Sequence, residues 1–152
     1  MQAGMYSSTQ AGALLGALRS LLPAVAVSVA LAFSVNRALS KSVGEARAAL
    51  AAPFTEEIVK TVPAVLLGSP VVPAHILFGL AESVYDLWRS PRRGGAAALA
   101  SVLGHAAFGG ATAFAWRTAG SLPAGIGAGI ALHFLWNLLV TGGMGSAPEG
   151  NR

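Results

Sequence analysis

Four of the six acidic residues in this chain (Glu56, Glu57, Glu82 and Asp86) and all three of its histidines (His75, His105 and His133) fall within otherwise apolar stretches. An ionisable side chain in hydrocarbon costs at least ~2.5 kcal/mol, so residues of this kind mark buried polar sites. The chemistry they offer is narrow. Two imidazoles, His105 and His133, with the carboxylate of Glu82 make a ligand set for Zn²⁺ that leaves a fourth position for water. Glu56 or Glu57 could take the proton from that water. Asn137 is a donor for a developing oxyanion. Without metal, the same glutamates and histidines would activate water by general-base action. The chain has no cysteine, which removes disulfides, thiolate ligands and a thiol nucleophile. Ser83 and Ser101 lie in the same stretches, but neither forms an obvious pair with a histidine.

These residues need helices to position them. Hydrophobic residues make up 54% of the 152 and charged residues 11%, with a mean hydropathy of +0.62. Soluble domains carry about 25% charged residues, so the composition predicts an all-α polytopic membrane bundle. Residues 1–19 form a polar N-terminus and the start of an apolar run. A first transmembrane helix is expected over 20–36, with Arg19 snorkelling to an interface. Residues 37–52 read as a basic cytoplasmic connector carrying Arg37, Lys41 and Arg47. A four-helix core follows over 53–140, with helices near 54–67, 74–88, 96–116 and 124–140. The Gly-rich residues 141–152 read as a flexible tail.

Basic residues gather in the first and third connectors, so the positive-inside rule predicts five spans with the N-terminus outside and the C-terminus in the cytoplasm. There are too few of them to cover a face, which argues against nucleic acid as a partner. Counting ~1.5 Å per residue along helices of alternating direction brings Glu56, Glu57, Glu82, His105, His133 and Asn137 to similar depths. His75 lies at the other end of its helix and reads as an interfacial residue. Glu56 and Lys60 are four residues apart, as are Phe78 and Glu82, and His133 and Asn137. Each pair therefore shares a helical face. Lys60 is expected to neutralise one of the glutamates.

The residues Glu56-Glu57-Ile58-Val59-Lys60 resemble the E-E-x-x-K motif of the PrsW family of intramembrane proteases. Phe78 to Glu82 resembles its F-x-x-x-E motif. Gly104-His105-Ala106 with Gly109-Gly110 resembles its histidine motif, and His133 to Asn137 its closing H-x-x-x-N. The four occur in order on four successive helices. Ser83 stands where the family commonly has asparagine, and the chain is shorter than typical members. The resemblance extends to the wider superfamily of type II CAAX prenyl proteases, bacteriocin-immunity relatives and the non-catalytic Aph subunit of gamma-secretase. It implies that Glu56 and Glu57 are the catalytic glutamate pair and that Glu82, His105, His133 and Asn137 complete the site. The implied substrate is a membrane-anchored protein, and the implied location is a prokaryotic cell membrane. Two other expectations fit the same residues. One is a non-catalytic scaffold or immunity protein of that superfamily; the other is a small proton-coupled transporter.

Overall fold

The computed structural model describes residues 3–89 and 94–144. Among the described residues every regular element is an α-helix. They are α1 (Ala3–Val43), α2 (Glu45–Leu66), α3 (Val71–Arg89), α4 (Gly94–Ala119) and α5 (Leu122–Met144). An apolar chain has little choice here, because a helix satisfies its own backbone polar groups and hydrocarbon offers them no other partner. Leu15–Val43, Gly95–Ala119 and Leu122–Leu139 are long and apolar enough to cross a membrane. The two remaining helices, of 22 and 19 residues, carry most of the buried charge.

Helix packing runs α1 on α2, α3 on α4 and α4 on α5; α2 also touches α3 and α5, and α1 touches α3. Helices α2 and α3 each meet three others, and α2 bears Glu56, Glu57 and Lys60. A small apolar cluster of Leu21, Ala64 and Ala74 joins α1, α2 and α3 beside them.

The first helix is much longer than 20–36. Nothing in Arg37-Ala38-Leu39-Ser40-Lys41-Ser42-Val43 opposes helix; arginine, alanine, leucine and lysine are among its better formers. The expected connector over 37–52 shrinks to one residue, Gly44, with φ 84° and ψ 157°, a conformation that a side chain would oppose. The alanine-rich segment then forms the first turns of α2. The next boundary falls where expected. Gly68 at φ 65° closes α2 with Ser69 N donating to Ala64 O at 2.7 Å and Gly68 N donating to Val65 O at 3.1 Å. These two bonds satisfy carbonyls that the end of a helix leaves open. Helix α5 continues four residues past the expected end, to Met144. The rest of the expected flexible tail, 145–152, lies outside the described residues, as does the basic turn 90–93.

Candidate active site

The bundle's centre is polar. Lys60, Glu57, Thr61, His75 and Thr112 are each at most 1% exposed. Lys60 is the hub. Its Nζ lies 2.8 Å from Glu57 Oε1 and 3.5 Å from Glu56 Oε2. It also lies 3.0 Å from His105 Nδ1 and 4.7 Å from the centre of the Phe78 ring. The first two contacts come from spacings of three and four residues on one face of α2. The third crosses to α4. An ammonium group only donates, so Nδ1 of His105 accepts and Nε2 carries the ring proton. Nε2 then donates to Glu82 Oε2 at 2.7 Å, and Ser101 Oγ donates to the same oxygen at 2.7 Å. Lysine, histidine, glutamate and serine thus form one continuous chain across α2, α4 and α3.

Two more helices close the cluster. His133 of α5 donates from Nδ1 to Glu57 Oε1 at 2.9 Å, and its ring stacks on Phe108 at 4.3 Å and 15°. The lone pair of a neutral ring is then on Nε2, 4.0 Å from Glu56 Oε2. That oxygen is buried with no hydrogen-bond partner among the described residues, while Glu56 Oε1 accepts from Asn36 Nδ2 of α1 at 2.7 Å. Asn36 was not expected at the site. It matches no motif, and the first helix was read as ending at that residue.

His75 overturns its expected interfacial place. It is fully buried, with Nε2 3.1 Å from Thr61 Oγ1 and Nδ1 3.6 Å from Glu57 Oε2. Thr61 is one turn beyond Glu57 on α2, and a histidine side chain spans that difference in depth. Glycines allow the approach. A Cβ at Gly109 would stand 2.7 Å from the Cβ of His75, and one at Gly79 would stand 2.9 Å from Cδ2 of His105. Both glycines follow a histidine by four residues, so α3 and α4 dock as two reciprocal His–Gly contacts. Small residues bring helices this close in lipid. A third glycine, Gly129 of α5, makes room for Thr112 Oγ1 and for Glu57 Oε2, which would lie 2.7 Å from its Cβ.

The structure does not bring Asn137 to the carboxylates. Its Nδ2 donates to Ala49 O at 3.3 Å. Ala49 precedes Glu56 by seven residues of α2, roughly 10 Å along the axis. The serines are also engaged elsewhere: Ser83 Oγ lies 2.7 Å from Gly79 O and 2.8 Å from Ala98 O, and Ser101 is bound to Glu82.

The donor set for a metal differs from the expected one by a single ligand. Glu56, Glu82 and His105 each offer an atom within 4.8 Å of the others and could hold a metal ion. His133, expected as the third ligand beside Glu82 and His105, turns to Glu57. Of the cluster's ionisable residues, Glu56 and Glu82 line a groove of about 1050 Å³ between α1 and α3.

Comparison of this chain with known protein families, curated proteins and solved structures finds no match. The functional reading therefore rests on the residues and their geometry.

Proposed function

We propose that this chain is a PrsW-like intramembrane endopeptidase that cleaves a membrane-anchored protein with water activated between Glu56 and His133. One observation carries the reading. Glu56 Oε2 is buried and accepts no hydrogen bond among the described residues; it lies 3.5 Å from Lys60 Nζ and 4.0 Å from the Nε2 of His133, and Glu56 lines the α1–α3 groove. A water between these atoms would give one proton to the Glu56 carboxylate as its oxygen attacks the scissile carbonyl. Glu56 would return that proton to the leaving amine. Asn36 and Lys60 fix the carboxylate in place. The four motif resemblances support the same reading, as does their order along α2 to α5. The positive-inside bias supports a cytoplasmic position for the groove's basic end, and the family resemblance supports a prokaryotic cell membrane.

Two carboxylates and one imidazole are ligand types that zinc accepts. A zinc ion held by Glu56, Glu82 and a His105 ring that has given up its Nε2 proton would add Lewis acidity and lower the pKa of a bound water.

The test is cleavage of a quenched, fluorescent transmembrane peptide by the purified protein in lipid vesicles. Glu56→Gln should lower the rate at least ~100-fold, the scale of lost general-base catalysis. Parental rates in both Glu56→Gln and His133→Ala would refute the proposal.

A second reading, a non-catalytic scaffold of the same superfamily, draws on the internal hydrogen bonds of Lys60, His75, His105 and His133. Truncating His105 separates the two. A peptidase keeps its helical fold and loses turnover, whereas a scaffold loses the fold.

A further inference from the structure

The α1–α3 groove is graded along its length. On the α1 side Leu22, Val25, Val29 and Phe33 recur every three or four residues and make an apolar wall. Asn36 follows, level with Glu56 and Glu82. Arg37 and Lys41 then stand at the open end, both exposed and four residues apart on one face.

The dimensions select an occupant. From Leu22 to Phe33 is eleven residues, a rise of roughly 16 Å. That is about half of a hydrocarbon core of ~30 Å, the depth of one leaflet. The apolar wall is about half the ~30 Å that a transmembrane helix must cross, so it matches a chain one leaflet deep more closely than a spanning helix. A single lipid matches the length, with its acyl chain on the apolar wall and its phosphate between Arg37 and Lys41. Basic pockets between membrane helices bind anionic head groups in this way. The two carboxylates in the groove do not oppose it. Glu56 is held by Lys60 and Asn36, and Glu82 by His105 and Ser101, and Lys41 stands more than a turn beyond Asn36 along α1.

We infer that the α1–α3 groove binds one anionic phospholipid, with its phosphate on Arg37 and Lys41 and its chain on Val25, Val29 and Phe33. The inference needs a membrane-embedded bundle; the lipid would share the groove with a peptidase substrate, and its retention is read without any cleavage assay.

Native mass spectrometry of the full chain, released from nanodiscs of equimolar phosphatidylglycerol and phosphatidylcholine with identical chains, tests it. The parent should retain one phosphatidylglycerol at least tenfold more often than phosphatidylcholine. Arg37→Glu with Lys41→Glu should erase that preference, and Arg117→Glu, outside the groove, should preserve it. Val29→Trp should lower retention of both lipids tenfold; Ala30→Leu provides the same test if the larger side chain prevents folding. Equal retention of the two lipids by the parent would overturn the inference, as would an unchanged preference after the double charge reversal. So would a groove-filling variant that blocks photo-crosslinking of a transmembrane peptide while lipid retention stays at the parental level. That last result would assign the groove to protein instead.

Discussion

Replacing Lys60 by methionine keeps an unbranched side chain and removes the cation at the centre of the bundle. In formal charges, Lys60 offsets one of two adjacent glutamates; without it, two buried carboxylates face each other. Breaking a buried ion pair from one side costs about 3–5 kcal/mol, because the remaining charge is left uncompensated. At ~2–4 °C per kcal/mol for a chain of this size, the melting temperature should fall by roughly 6–20 °C. The sharper test adds Glu57→Gln. The double variant restores the parent's net charge of −1 over these three positions, so it should melt above Lys60→Met alone even though it contains one more substitution. Circular dichroism melts of the four proteins in one detergent would measure this. If the two changes add to within ~0.5 kcal/mol, as independent sites do, the Lys60–Glu57 contact at 2.8 Å carries no energy and the argument fails.

Two other outcomes follow from the geometry. Gly129→Ala places a methyl group against Thr112 Oγ1 and 2.7 Å from Glu57 Oε2, so it should destabilise the protein by about 1–3 kcal/mol, readable in the same melts. Zinc affinity, measured by competition with a fluorescent chelator, should fall about tenfold or more in Glu82→Gln and stay unchanged in Asn137→Ala; the reverse order would place the metal elsewhere.

The sequence showed the shared helical face of Glu56 and Lys60, and the matched depth of Glu82, His105 and His133, because both follow from helix periodicity and direction alone. Depth did not decide rotation or reach. Asn137 shares a face with His133, yet one turn further along α5 it meets Ala49 on the antiparallel α2. His75 was misplaced because its approach depends on Gly109, on another helix, lacking a side chain. Asn36 lies within the expected first helix, but its bond to Glu56 depends on how α1 packs on α2. Each miss concerns contacts between helices that periodicity within one helix does not encode.

At 41 residues, α1 rises roughly 60 Å, about twice the hydrocarbon thickness of a bilayer. With Pro23 inside it as a point of bending, such a helix either projects from one membrane face or leans, and its lean follows the thickness of the surrounding lipid. Because α1 supplies Asn36 to Glu56 and packs Phe33 at 6.3 Å from Tyr85 of α3, leaning changes the span between positions 33 and 85. Spin labels at those two positions should report different separations in short-chain and long-chain lipids. Bilayer thickness would thereby become a mechanical input to the glutamate cluster, set by the host membrane instead of by any ligand.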